Sequence, residues 1–235
     1  MDALLTAPFW IAVGQIILID ILLGGDNAVV IALACRGLPP RQRKLGIIYG
    51  TAGAIILRVI LIAFALALLS IPYLKLVGGA LLVWIGVQLL SPQHEEEDHG
   101  KIGSSDKLWG AVKTVIVADL VMSVDNVLAI AGAATSAGSH QITLVVFGLL
   151  VSIPIIVAGS QLVLKLMDRF PIIITLGAML LGWIAGQMAF TDPGVRRYMP
   201  ESKAWEYAAA AGGALLVLAI SKLLAARRHR RSETV

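Results

Sequence analysis

Residues 20–30 read DILLGGDNAVV, and residues 119–129 read DLVMSVDNVLA. Each stretch holds an aspartate followed six positions later by an Asp-Asn pair, so that Asp20, Asp26 and Asn27 recur as Asp119, Asp125 and Asn126. Every member of the second set lies 99 positions after its counterpart. Apolar residues surround both stretches, which indicates one polar element duplicated inside two hydrophobic helices.

The same offset continues well beyond the aspartates. It carries Gly78 onto Gly177, Trp84 onto Trp183 and Gln88 onto Gln187. One register therefore relates residues 9–90 to residues 109–190, which we predict to be two copies of a three-helix unit.

The composition predicts that these units cross a membrane. Hydrophobic residues make up 58% of the 235-residue chain and charged residues only 14%, with a mean hydropathy of +0.86. Apolar runs of spanning length predict an all-α polytopic membrane protein with seven transmembrane helices. These runs are Phe9–Ala34, Leu45–Leu69, Leu74–Leu90, Val112–Ala134, Ile142–Leu164, Phe170–Phe190 and Ala204–Ala226. Because three spans are an odd number, the second repeat must enter from the opposite side, and the seventh helix (204–226) is an addition.

Lysine and arginine predict the orientation. Four basic groups fall on one side if the spans alternate, and the positive-inside rule assigns that side to the cytoplasm. They lie at Arg36–Lys44, Lys101–Lys113, Lys165–Arg169 and Lys222–Arg231. We therefore expect an inner (plasma) membrane protein with its N-terminus outside, its C-terminus in the cytoplasm, and residues 91–108 as a cytoplasmic linker.

The intramembrane carboxylates carry the functional prediction. A charged aspartate at a helix centre is costly, so Asp20, Asp26, Asp119 and Asp125 must face one another, water or a cation. Gly24 and Gly25 can let the first helix open, so that carboxylates and freed carbonyls converge, and Ser123 adds a hydroxyl. Oxygen ligands of this kind suit Mg²⁺, Ca²⁺ or Mn²⁺. Inverted repeats are typical of secondary transporters, whose binding sites lie near the midplane.

Arg58 lies in the middle of the second predicted span and also needs a partner. It either neutralises an aspartate when the cation site is empty or forms a permanent structural ion pair; the sequence favours neither.

Several function classes are set aside or left as alternatives. Cys35 is the single cysteine, which excludes an internal disulfide and a thiolate metal cluster, and no P-loop is present. We predict no enzymatic activity and no nucleic-acid partner. The partners that we expect are membrane lipids and other copies of the same chain in a homo-oligomer. Export of a cationic metabolite, a role as scaffold or insertion partner, and intramembrane aspartyl proteolysis stay open.

The Asp-Asn elements at residues 24–28 and 123–127 resemble those of the TerC family of integral membrane proteins, and the resemblance covers about Phe9–Ala226. It implies a fold similar to the lysine-exporter superfamily and, for studied members, export of manganese. On matching positions the family's acidic site becomes Asp20, Asp26, Asn27, Asp119, Asp125 and Asn126. We therefore expect an exporter of Mn²⁺ or a similar divalent cation, in exchange for protons, with the metal as substrate and no tightly bound cofactor.

Overall fold

The computed structural model describes residues 7–64, 71–90, 104–135, 141–200 and 202–232. Within these ranges some helical side chains are not described, including those of residues 19–24 and 125–135. Most of the predicted linker 91–108 lies outside the described residues.

Eight helices and no strand form the described part of the chain, which confirms the all-α prediction there. They are α1 (Ala7–Cys35), α2 (Pro40–Ala63), α3 (Leu74–Leu90), α4 (Ser104–Thr135), α5 (Gln141–Arg169), α6 (Ile172–Thr191), the short α7 (Pro193–Arg196) and α8 (Lys203–Ser232).

Several of these helices are long and apolar enough to cross a bilayer. Among the described residues four qualify by length and composition, namely Pro40–Leu61, Val146–Arg169, Ile172–Thr191 and Lys203–Ala226. Leu74–Leu90 and Gly25–Cys35 are shorter apolar helical segments. The chain is thus a multi-pass membrane protein, whereas the number of seven spans stays a prediction.

The helix bounds agree with the offset of 99 positions. Moved by that amount, α1, α2 and α3 fall on α4, α5 and α6 respectively. The opposite orientation of the two halves stays a prediction.

The helices pack into two compact units, and each unit draws on both predicted repeats. The first comprises Met1–Ser70 and Leu108–Leu164, and the second comprises Ile71–Lys107 and Lys165–Val235. The first unit therefore contains α1 and α2 with most of α4 and α5, and the second contains α3, α6, α7 and α8.

In the first unit, small residues bring α2 close to α4. A Cβ added at Gly53 would lie 2.5 Å from Cδ1 of Ile116, and one added at Gly50 would lie 3.0 Å from Cγ1 of Val115. Interiors are packed to nearly crystalline density, so these contacts fix the register between the two helices. Polar residues on α2 and α4 are thereby held at defined heights.

Charged and small residues also secure the end of α1. The Arg43 side chain donates hydrogen bonds to the carbonyl oxygens of Leu38 and Arg36, at 2.9 and 2.7 Å. Such bonds satisfy carbonyls that have no partner after a helix end. Cys35 is fully buried at this end, as expected of a packed residue. Arg43, assigned from sequence to orientation alone, therefore also has a structural role.

In the second unit, α6 packs closely against α8 through glycines. Added Cβ atoms at Gly182 and Gly213 would overlap each other's carbonyl oxygens, and one at Gly186 would overlap the carbonyl of Ala209. Small residues four positions apart allow membrane helices to approach in this way. The seventh predicted span, which has no repeat counterpart, is thus an integral part of its unit.

Candidate cation site

The predicted site residues whose side chains are described all belong to the first unit. Asp26 and Asn27 lie on α1, Arg58 on α2, and Asp119 and Ser123 on α4. The side chains of Asp20, Asp125 and Asn126 lie outside the described residues, and so do the surroundings of Gly24. The convergence of all four carboxylates therefore stays a prediction.

Arg58, Asp119 and Ser123 form a closed ring of hydrogen bonds. The Arg58 guanidinium donates from Nη2 to Oδ1 of Asp119 at 2.5 Å, and from Nε to the Ser123 hydroxyl at 3.1 Å. The Ser123 hydroxyl in turn donates to Oδ2 of Asp119 at 3.0 Å. All three residues are buried, with exposures of 2%, 5% and 0% in the order Arg58, Asp119, Ser123.

Helical spacing explains why two members of this ring come from α4. Ser123 follows Asp119 by four residues, so the two side chains lie on the same face of the helix. A buried charge is tolerated only with a partner of opposite charge and satisfied hydrogen bonds. Both carboxylate oxygens of Asp119 meet that requirement through neighbours within the protein.

Asn27 lies beside this ring in a different situation. Its side chain is 4% exposed, and neither its amide nitrogen nor its amide oxygen has a hydrogen-bond partner in the described structure. Buried amides usually have partners, and each unsatisfied polar group costs about 1–3 kcal/mol. An unpaired amide in an apolar helix bundle therefore calls for a ligand or a water molecule.

A small cavity joins Asn27 to Asp119. The volume of the cavity is about 10 Å³, close to the roughly 10–15 Å³ that one water molecule needs on the same measure. Its walls are apolar apart from these two residues; the lining residues are Asn27, Val30, Ile31, Ala54, Val115 and Asp119. One amide and one carboxylate thus border a space of about the size of a water molecule or a bare cation.

Asp26 has a separate environment. Its side chain is half-buried, it does not line the cavity, and its Oδ1 accepts a hydrogen bond from the backbone N–H of Asn27 at 2.8 Å. Among the described side chains, no three His, Cys, Asp or Glu residues cluster closely enough to hold a metal ion. Asp26 and Asp119 are thus two of the predicted carboxylates, placed near Asn27 in different ways.

The expected opening of α1 at Gly24 and Gly25 is absent from the structure. The helix continues from Ala7 to Cys35 through both glycines. A Cβ added at Gly25 would meet no atom within 4 Å, so packing does not require a glycine there. No backbone carbonyl of this segment is freed to act as a ligand.

Sequence reasoning missed the residues that shape the cavity walls. Val30, Ile31, Ala54 and Val115 are ordinary apolar residues, and no pattern separates them from the rest of the core. Ala54 follows Gly50 by one helical turn. The small residues along that face of α2 were the only available signal that α4 approaches there.

Comparison with known proteins agrees with the resemblance seen in the Asp-Asn elements. Residues 5–231 match the family model of the integral membrane protein TerC family. The "Uncharacterized membrane protein YjbE" of Bacillus subtilis (strain 168) is 45% identical over 184 residues, which cover 78% of this chain and 81% of that protein.

More distant relatives show the same breadth of coverage. The "Uncharacterized membrane protein YceF" of Bacillus subtilis (strain 168) is 30% identical over 79% of this chain and 73% of its own length. The "UPF0053 inner membrane protein YgdQ" of Escherichia coli (strain K12) is 23% identical over 69% of this chain and 73% of its own length. No solved structure matches the chain.

Proposed function

The chain belongs to the TerC family of integral membrane proteins, and we propose that it is a secondary transporter that exports Mn²⁺ or a similar divalent cation in exchange for protons. The observation that carries this proposal is the unpaired, buried amide of Asn27 across a small cavity from the Asp119 carboxylate.

The ligand chemistry supports a hard divalent cation. Asp119 offers carboxylate oxygens and Asn27 an amide oxygen, and Mn²⁺, Mg²⁺ and Ca²⁺ all bind such donors. A bare cation of this group fits a cavity that has room for about one water molecule. Asp20, Asp26, Asp125 and Asn126 would complete the site, as the repeat predicts.

Proton exchange follows from the same carboxylates. A carboxylate binds either a proton or a metal ion, and metal affinity falls when its ligands are protonated. Proton uptake at one membrane face would release the cation there, and proton loss at the other face would restore the site. Intramembrane acidic residues commonly serve in such relays.

The predicted orientation of the chain defines which membrane face the cation leaves and which face it reaches. We place the N-terminus outside and the C-terminus in the cytoplasm of the inner (plasma) membrane, because lysine and arginine are concentrated on one side of the predicted spans. Export then moves the cation from the side that carries Arg43 and Lys165 to the opposite side.

Hydrogen bonding at Asp119 speaks against proteolysis. An aspartic protease needs two carboxylates that share a proton, whereas the partner of the Asp119 carboxylate in the described structure is the Arg58 guanidinium. We therefore do not expect peptide hydrolysis.

Transport by the purified full chain in proteoliposomes tests the proposal. We expect flux of Mn²⁺ or a similar divalent cation that depends on an imposed pH gradient. Protons should move in the opposite direction, so the lumen should become more alkaline when the cation enters and more acidic when it leaves. Asp119→Asn should reduce the flux at least about tenfold, since it removes a charged ligand. Asp106→Asn is the matched control, because Asp106 lies in the first turn of the same helix and is exposed. Absence of divalent-cation flux in wild-type vesicles under gradients of either sign would overturn the proposal.

A further inference from the structure

Arg58 places a permanent positive charge beside the proposed cation site. Arg58 is 2% exposed, and its guanidinium donates hydrogen bonds to both Asp119 and Ser123. An arginine remains charged under all ordinary conditions. The Asp119 carboxylate is therefore neutralised in this structure by a cation that belongs to the protein.

The predicted repeat shows that this charge is present in one half only. Subtracting 99 positions carries Asp119 onto Asp20 and Ser123 onto Gly24, whereas adding 99 positions carries Arg58 onto Val157. The set of residues equivalent to the ring is therefore Asp20, Gly24 and Val157, which contains neither the hydroxyl nor the guanidinium. If the two acidic elements descend from one ancestor, Arg58 and Ser123 distinguish the element at Asp119 from its copy.

The cavity brings the resident charge and the cargo to one carboxylate. Asp119 lines the cavity with Asn27 and belongs to the ring with Arg58 at the same time. A divalent cation in the cavity and the Arg58 guanidinium would both lie next to this one carboxylate, and positive charges that are buried close together repel each other strongly because little water screens them. A cation bound in the cavity and a guanidinium bound to Asp119 therefore weaken each other's binding.

We propose that Arg58 is a resident counter-cation that competes with the transported divalent cation for Asp119, so that loading the site displaces the guanidinium and release of the cation restores the ring. This inference rests on the proposed function. It assigns Arg58 the role of keeping Asp119 neutral in the unloaded protein and of limiting the affinity, so that the cation can leave. Arg58 is a positioning residue in this scheme and does not bind the cargo.

Binding measurements on variants at this position provide the first test. Purified Arg58→Gln should bind Mn²⁺ about tenfold more tightly than wild type or more, a factor within the usual range of coupling between two ligands. Arg58→Lys keeps the charge but loses the planar fork, so its affinity should lie between the two. The double variant Arg58→Gln, Asp119→Asn should lose the gain, because the carboxylate that was freed is gone. Equal affinity of Arg58→Gln and wild type would overturn the competition.

A measurement on the wild-type protein avoids the risk that Arg58→Gln fails to fold. The ¹⁵N-labelled Nε–H of Arg58, identified by the loss of its signal in Arg58→Lys, should exchange slowly with water in the unloaded protein because it is buried and bonded to Ser123. Saturation with Ca²⁺ or Mg²⁺, which are diamagnetic, should shift this signal and speed its exchange. A cation that binds while the Nε–H signal stays unchanged would refute the displacement and leave the proposed function intact. Absence of any divalent-cation binding would overturn the proposed function, and the competition with it.

Discussion

The carboxylate of Asp192 accepts a hydrogen bond from the backbone N–H of Tyr73, with 2.9 Å between Oδ1 and the nitrogen, across a sequence separation of 119 residues. Gly194 donates a second bond to Oδ1, and Lys75 and Leu76 each donate one to Oδ2, at 2.7, 3.1 and 3.3 Å respectively. One fully buried side chain therefore holds the first turn of α3 against the end of α6.

This arrangement also explains an unusual backbone conformation. Tyr73 has a φ of 66°, a value that large residues adopt only when the surrounding structure enforces it. Besides its N–H bond to Asp192, its hydroxyl accepts a hydrogen bond from Arg197 at 3.2 Å, and its ring packs where a side chain at Gly194 would lie. The turn before α3 is thus fixed from three directions.

Asp192→Asn should destabilise the second unit by about 1–3 kcal/mol or more. Whichever way the amide is turned, its NH₂ group faces two backbone N–H groups that have lost their acceptor. The midpoint of unfolding in mixed micelles titrated with denaturing detergent measures the effect. Asp106→Asn is the control, because Asp106 is exposed and its interaction with the helix start contributes about 0.3–1 kcal/mol at most. Equal midpoints for the two variants would contradict the role of Asp192.

The same carboxylate should make stability depend on pH. Burial by itself would raise the pKa of Asp192, but the N–H bonds from Tyr73, Gly194, Leu76 and Lys75 outweigh it and hold the pKa below the ordinary 3.8. The stabilisation is therefore fully present above about pH 3.8 and is lost as pH falls through the lower folded-state value. Acid unfolding of wild type should be steeper in this range than that of Asp192→Asn, as followed by circular dichroism.

Two adjacent glycines of α8 allow a closely matched test of helix packing. Gly213→Ala places a methyl group against the backbone of Gly182 and should cost about 1–3 kcal/mol through forced separation of α6 and α8. Gly212→Ala meets no atom within 4 Å and should be neutral or stabilise by up to about 1 kcal/mol, because alanine is the better helix former. Thermal unfolding of both variants in detergent gives the comparison, and similar midpoints would show that α6 and α8 do not pack as described.

The inverted orientation of the halves can be tested by topology mapping. Reporter tags after Lys44 and at the C-terminus should report from the cytoplasm, and a tag near Ser139 should report from outside, because a unit of three spans reverses direction. Accessibility of each tag in intact cells and in inverted vesicles gives the reading. Finding Lys44 and Ser139 on the same side would mean that α1 and α4 run in parallel and that the repeat is not inverted.

The sequence predicts that a charged residue inside the membrane has a partner, but it does not identify that partner. A charge in the middle of an apolar helix must be paired, so Arg58 was expected to meet a carboxylate. The choice of Asp119 depends on how α2 and α4 are placed along each other, which is set by contacts such as Gly53 against Ile116. Periodicity along one helix contains no information about the register between two helices.

Glycine was overinterpreted at one place and underinterpreted at another. The pair Gly24, Gly25 suggested an interrupted helix, but opening α1 would leave backbone groups without partners in an apolar environment, and the helix stays continuous. Gly182, Gly186 and Gly213, by contrast, mark a close helix contact whose spacing was visible in the sequence. Asp192 escaped notice because a helix-starting Asp-Pro pair predicts only the local cap, not bonds to a turn 119 residues away.

The two Asp-Asn pairs lead to the prediction that tests the whole functional assignment. Asp26 and Asp125 are equivalent under the offset of 99 positions, and each is followed by an asparagine. Asp26 is half-buried next to the unpaired Asn27 amide. Asp125 lies on α4 two residues beyond Ser123, although its side chain is outside the described residues.

Asp26→Asn and Asp125→Asn should each weaken divalent-cation binding while the protein still reaches the membrane in normal amount, since the change removes one negative charge and almost preserves shape. Loss of a carboxylate ligand costs at least about 1.5–3 kcal/mol, or more than about tenfold in affinity. Cells that rely on either variant as their only exporter should accumulate manganese and become sensitive to it, whereas cells carrying Asp106→Asn should behave like wild type. In the purified protein, wild-type binding should weaken as pH falls toward the range where carboxylates protonate, and each variant should take up fewer competing protons. Export at wild-type rates by both variants would make the Asp-Asn pairs structural elements and remove the basis for assigning cation transport to them.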